Sequence, residues 1–288
     1  MTLWGTLLRG GAATALLFLG ACSDPERDRE TIESLDGINV IDASNLNDIM
    51  LDFADPNAAA NYFRNSLQND PTRVDFKRGY ARSLMRARRP AEAALAFEQM
   101  DDQGELDFAD RLLYAEALIQ NGTWQKAEAQ LDLIPPTLET YDRYRLEAMV
   151  ADQNKEWKKA DHYYETARGL TTRPAAIFNN WGISKMQRRQ HEAAEKLFLQ
   201  AISHNPELFS AKNNLAISRA TRGVYTLPTI PMTSSEQAEM LHNIALQAIR
   251  NGDVEIGKGL LEEAIDTHPQ HFDEAVRKLS ALDANVLR

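Results

Sequence analysis

The feature that most constrains this chain is a spacing. A small residue recurs at Ala59, Ala93, Ala127, Ala160 and Ala194, at intervals of 34, 34, 33 and 34 residues. A large apolar residue follows each by four positions: Phe63, Phe97, Leu131, Tyr164 and Phe198. Both columns return at Gly257 and Leu261, and a third reads Ala81, Ala115, Ala148, Gly182, Ala216 and Ala245. Positions i and i+4 share one face of a helix, so each small–large pair marks a buried contact. The stretch from Ala175 to Pro206 shows the unit most fully. Its first helix carries Ile177, Trp181 and Ile183, with Gly182 at the close contact; Gln187 to Gln190 make a polar turn. Its second helix carries Ala194, Leu197, Phe198, Ala201 and Ile202, and Pro206 stops it. A hairpin with apolar surface on more than one side needs copies above and below to bury it.

This small–large periodicity resembles the tetratricopeptide repeat, two antiparallel helices per ~34 residues, over roughly residues 40–270. The resemblance implies an all-α, tetratricopeptide-repeat α-solenoid, a right-handed superhelix of helix hairpins with a C-terminal capping helix. Expected helix pairs are a Ser44-capped helix to Phe53 with Pro56–Gln68, Val74–Arg88 with Pro90–Met100, and Leu106–Gln120 with Trp124–Leu133. Tyr141–Asp152 with Glu156–Arg168 and the hairpin just described follow. Glu207–Thr221 then reads as a first helix without a second, because Pro228 and Pro231 exclude a regular helix in Tyr225–Thr233. Ser234 or Ser235 is expected to cap a helix to Arg250, Asp253–Thr267 to pair with it, and Phe272–Leu282 to act as the lid. The array thus spans 40–282 with an insertion at 223–234, leaving 283–288 as a tail. Trp124, Trp157 and Tyr225 sit where an aromatic packs into the neighbouring repeat.

The N-terminal residues carry a different message. Arg9, an apolar run from Ala12 to Leu19, then Gly20 and Ala21 have the order of a secretory signal. Leu19-Gly20-Ala21-Cys22 resembles the bacterial lipobox, which implies cleavage of residues 1–21 and lipidation of Cys22, the only cysteine of the chain. Ser23 in place of Asp resembles an outer-membrane address, in the cell envelope of a Gram-negative bacterium, facing the periplasm. Residues 22–39 are charged and poor in apolar side chains, as a flexible tether requires.

The net charge of −10 speaks against general nucleic-acid affinity, which needs clustered positive surface. One cysteine excludes an internal disulfide and a multi-thiolate zinc site. There is no phosphate loop, no HExxH and no Gly-x-Ser-x-Gly, so neither catalysis, a cofactor nor a small-molecule substrate is expected. His268 and His271 flank a proline turn with no third metal ligand in view, and no metal is expected there.

Stacked hairpins leave a groove lined by first helices, and two sets of residues are expected to face it. Arg78, Arg82 and Arg86, at i, i+4 and i+8, form a basic stripe suited to a carboxylate, or else paired with acids of neighbouring helices. Asn179 and Asn180 recur 34 residues later as Asn213 and Asn214, and carboxamides can both donate to and accept from an extended peptide backbone. The fuller lysine-and-asparagine clamp of chaperone-binding tetratricopeptide proteins is not present. The run from Tyr225 to Phe272 resembles the end of tetratricopeptide lipoproteins of the tight-adherence (Tad/Flp) pilus machinery. That resemblance implies a pilotin-like protein scaffold whose partner is a secretin or another pilus component. The alternative is an adaptor for other envelope machinery, outer-membrane barrel assembly or cell-wall synthesis.

Overall fold

The computed structural model describes residues 46–286, with side chains described to residue 284. The signal, Cys22, the tether and the Ser44 cap lie outside the described residues. Fourteen α-helices and no strand occur among those that are described. Contacts divide the chain at Asp55. On the N-terminal side lies α1 (Leu46–Asp52), none of whose residues is buried. The rest is a run of hairpins beginning with α2 (Pro56–Asn69), which packs forward onto α3 (Val74–Arg86). The pairs are α3 with α4 (Pro90–Asp102), α5 (Phe108–Gln120) with α6 (Trp124–Asp132), α7 (Tyr141–Gln153) with α8 (Trp157–Gly169), and α9 (Ala175–Gln187) with α10 (His191–His204). Then come α11 (Phe209–Thr221), the pair α12 (Ser234–Asn251) and α13 (Val254–Thr267), and α14 (Asp273–Val286).

Local chemistry sets these boundaries. Every first helix of the array ends in the same way: residues Arg88, Gly122, Lys155, Arg189, Gly223 and Gly252 all have φ between 57° and 96°. The amide one residue later bonds back five positions, as in Arg89 N–H to the Leu84 carbonyl and Asp253 N–H to that of Ala248. That is the Schellman ending, which satisfies carbonyls the helix leaves open and turns the chain sharply. Three of the six positions are not glycine, so the left-handed turn is imposed by the packing of the helices it joins. At its other end α12 is capped by Thr233, not by the expected Ser234 or Ser235. The Thr233 hydroxyl accepts the Glu236 amide at 3.2 Å and the Glu236 carboxylate accepts the Thr233 amide at 2.8 Å.

The three residue columns are the core. Each of their alanines, glycines and large residues is buried. A Cβ on Gly182 would lie 2.5 Å from Phe198 Cε1, so the missing side chain is what lets α9 meet α10. From α7 to α14 the clusters are linked: Trp181 belongs to two of them, Ile230 joins the α10 cluster to the α12 cluster, and Leu260 joins that one to the lid.

The insertion takes the place of a second helix. The α11 hairpin turn is regular through Val224, whose amide bonds the Arg219 carbonyl. Beyond it Tyr225, Leu227, Ile230 and Met232 pack onto Ala216, Ala220, Met240 and Ile244. Four apolar side chains on an irregular segment thus cover the face that a second helix covers elsewhere. Phe272 and the final helix, through Ala275, Leu279 and Leu282, cover Ala245 and Leu261, as a lid should, and the helix continues through 283–286.

Polar links tie repeats that the apolar columns only stack. Asp161 on α8 accepts from Trp181 Nε1 at 2.6 Å, Lys185 Nζ at 2.9 Å and Arg188 at 2.7 and 2.8 Å. Arg188, in the expected polar turn, has a side chain only 8% exposed and spans to α8. Asp152 accepts from Tyr164 Oη at 2.8 Å and Ser184 Oγ at 2.6 Å. Burial pushes the Asp152 carboxyl above its ordinary range. For Asp161, burial also pushes upward, but the bonds from Arg188, Lys185 and Trp181 prevail and hold it down at about 2.

A depressed carboxyl contributes stability that is complete above its unfolded value and is lost as pH falls through the folded one. Asp161 is about a third exposed, so screening reduces its contribution to about 1–2 kcal/mol. Asp161→Asn is expected to remove that part of the loss of stability between about pH 4 and pH 2, read by urea unfolding across that range. An acid limb unchanged by the substitution would show that the network carries no such linkage.

Candidate protein-binding face

Helices α3, α5, α7, α9 and α11 pack successively against one another, and α12 packs on α11, so the first helices form one continuous face. Its two ends differ in chemistry. At the N-terminal end the arginine stripe is largely committed. Arg78 Nε lies 2.9 and 2.7 Å from the two carboxylate oxygens of Asp110, and its terminal nitrogen 2.7 Å from one of them. Arg82 adds a contact at 3.4 Å to the same carboxylate, which is wholly buried. Asp110 also caps α5 reciprocally with Asp107. Side-chain hydrogen bonding to Asp110 raises the Arg78 pKa above its ordinary value. The sequence left open a carboxylate grip or pairing with neighbouring acids; for Arg78 and Arg82 the geometry is pairing. Arg86, one turn on, is exposed.

The asparagines are brought together as a ladder. Asn214 Nδ2 donates to Asn179 Oδ1 at 2.9 Å, and Asn243 Nδ2 to Asn213 Oδ1 at 2.9 Å, each rung joining adjacent first helices. Asn180 Nδ2 reaches only the Met149 sulfur, at 4.0 Å. Asn243 was not expected. It stands 29 residues after Asn214, the interval that the shortened α11 unit imposes on every column, and that offset was its signal. Among the described residues, Asn179 Nδ2 and Asn213 Nδ2 make no hydrogen bond and Asn180 Oδ1 and Asn214 Oδ1 accept none. Asn179 itself is buried, so the groups left to solvent or a ligand are Asn213 Nδ2, Asn180 Oδ1 and Asn214 Oδ1.

A second series runs beside the ladder. Met149, Ile183, Ile217 and Leu246 are spaced 34, 34 and 29 residues apart, one per first helix. Met149, Ile217 and Leu246 are half-buried and Ile183 is exposed, at 36%. Ile183 was expected to pack with Ile177 and Trp181; instead Phe178 goes inward, stacked on His204 at 5.5 Å between centroids, and Ile183 stays on the open face. Met149 and Ile183 line a cleft of about 150 Å³ with Trp124, Gln153, Asn180 and Gln187.

Charge is withdrawn from the same face. The charged residues of α9 and α11 are Lys185, Lys212 and Arg219, and each is paired off: with Asp161 at 2.9 Å, Glu236 at 2.9 Å and Glu195 at 3.2 Å. Lys212 is 2% exposed. The other residues of α9 and α11 are uncharged. Elsewhere, His268 and His271 are a turn and a helix start: His268 bonds the Gln270 backbone and His271 sits 3.0 Å from Asp273. Among the described residues no three His, Cys, Asp or Glu side chains gather as a metal set, and no helix is long and apolar enough to cross a membrane.

The geometry agrees with comparison to known proteins. A family model for the tetratricopeptide repeat matches residues 51–108, which include all of α2, α3 and α4. The fold is the tetratricopeptide-repeat solenoid. The array aligns with a tetratricopeptide repeat protein from Parabacteroides merdae ATCC 43184 at 13% identity and TM-score 0.56, over 84% of this chain and 96% of that one. It aligns with the human IFIT1 dimer with m7Gppp-AAAA at 16% identity and TM-score 0.59, over 81% of this chain and 59% of the other. A chain of the APC/C hetero-tetramer Cut9-Hcn1 aligns at 14% identity and TM-score 0.54, over 79% and 46%. This chain thus spans about half to three-fifths of the last two relatives' length. A search of curated proteins by sequence gives no match. At such identities what the tetratricopeptide array shares with these structures is its fold.

Proposed function

We propose that this protein is a lipid-anchored scaffold of the bacterial envelope that holds a protein segment on its first-helix face during assembly of a Tad/Flp-type pilus. The observation that carries the scaffold reading is the stretch of α9 and α11, whose charges are all paired and whose amides keep unanswered donors and acceptors. Such a surface has groups for binding a polypeptide backbone. The anchor rests on the lipobox at Cys22, and the address at the outer membrane, facing the periplasm, on Ser23. Acyl chains on Cys22 contribute ~0.8 kcal/mol per buried CH₂, enough for lasting attachment when several are present. Tethering also raises the effective concentration of the groove for partners at that membrane. The pilus role rests on the Tyr225–Phe272 run, whose proline segment a generic repeat has no need of.

Deleting the gene is expected to abolish pili and the multimers of their secretin, and the wild-type gene to restore both. Complementation with Cys22→Ser is expected to give a protein that is not labelled by fatty acid and washes off membranes in salt. Pili and secretin multimers that persist in the deletion strain would rule out the pilus role. A Cys22→Ser protein that fractionates with membranes as wild type does would rule out the anchor.

A further inference from the structure

The geometry points to a particular kind of occupant: an uncharged, extended segment in the polyproline-II conformation, with an apolar side chain at every third residue. This rests on the scaffold reading and specifies what that face holds. Adjacent first helices are in direct contact, which sets their axes about 8–10 Å apart. Met149, Ile183, Ile217 and Leu246 supply one aliphatic contact per helix, so apolar residues of a ligand must recur at that distance. A polyproline-II chain advances about 3.1 Å per residue with three residues per turn, so its same-side residues recur every ~9.3 Å. A β-strand repeats on one side every ~6.8 Å and falls out of step by the second helix.

An α-helix can match the distance with a seven-residue repeat of ~10.5 Å, but its backbone groups are already bonded within the helix. A polyproline-II backbone has no internal hydrogen bonds, so its carbonyls and N–H groups stay open. Those are the partners that Asn213 Nδ2, Asn180 Oδ1 and Asn214 Oδ1, all half-buried, lack among the described residues. The absence of unpaired charge on α9 and α11 complements an uncharged segment and penalises a charged one, whose ions would be desolvated without a counter-ion.

The test uses the purified full-length chain and labelled peptides of about ten residues, the length that spans four such contacts. Two peptides share one composition of leucine, proline, serine and glutamine, with four leucines at every third position or at every second; a third, lengthened to about 22 residues, carries four leucines at every seventh. The period-three peptide is expected to bind at least about tenfold more tightly than the other two by fluorescence anisotropy. Ile217→Ser and, separately, Asn213→Ala are each expected to weaken it several-fold with circular dichroism and thermal midpoint kept. Equal binding of all three peptides, or a preference for heptad spacing, would overturn the inference, as would unchanged affinity in both variants.

A photo-crosslinker at position 217 in cells separates this from the broader reading. Crosslinking to a pilus component without period-three preference sinks the inference alone. Period-three binding in a protein whose deletion leaves pili intact sinks the pilus role alone.

Discussion

Phe198→Ala is expected to cost about 3–5 kcal/mol, the range for emptying a large buried aromatic site, and to make unfolding visibly less cooperative. Phe198 is fully buried between α9, α10 and α11, and its ring fills the space that Gly182 leaves on α9. The residue that faces the ring, Gly182, has no side chain to move into the hole. In a stacked array each unit is held only by its neighbours, so a weak central unit uncouples the two ends. The expected reading is a urea curve with two transitions where wild type has one: one for α2–α8, the other for α11–α14. The companion variant tests the cause. Gly182→Ala alone forces a Cβ to within 2.5 Å of the ring and is expected to cost about 1–3 kcal/mol. Adding Phe198→Leu should recover much of that, since Ala115 with Leu131 is how another repeat fills the same two columns. A double variant no better than the sum of the singles would mean that the two residues are not a packing pair.

That pair was readable from spacing alone, and so was most of the array, because a buried small–large contact imposes residue type at both positions in every unit. The lid and the helix-free insertion were readable for the same kind of reason: proline forbids what it replaces. Position on the open face was harder. In α9 the apolar residues Ala175, Ala176, Ile177, Phe178, Trp181, Ile183 and Met186 surround the helix, since a first helix touches its own partner and the units on both sides. With apolar residues on every side, periodicity does not tell which one is left outside, and Ile183 was assigned inward. The left-handed turn column was hidden because Arg88, Lys155 and Arg189 occupy positions where only glycine announces itself. Ion pairs were hidden more deeply. Arg188 finds Asp161 27 residues earlier and Arg78 finds Asp110 32 residues later, and no local pattern encodes a partner at that distance.

Arg78→Met is therefore expected to act first on stability, by about 2–3 kcal/mol. Removing one partner of a buried pair leaves the other charged and unanswered, usually a loss of about 3–5 kcal/mol. Arg78 is about a quarter exposed, so water can reach the vacated site and the loss falls at or just below the lower end of that range. Arg82, at 3.4 Å, is too far to replace three close contacts. The loss should be local. Amide exchange is expected to quicken in α3 to α6, the units that Asp110 joins, and to stay at wild-type rates in α12 and α13. Pairing the variant with Asp110→Leu should restore much of the stability, because no buried charge then remains. This ordering also decides what the arginine stripe is for. If Arg78→Met weakens partner binding while exchange in α3 to α6 is unchanged, the guanidinium serves a ligand and its bond to Asp110 merely parks it. If exchange quickens and binding on α9 and α11 is untouched, the stripe holds the first repeats together, and recognition belongs to the asparagine ladder.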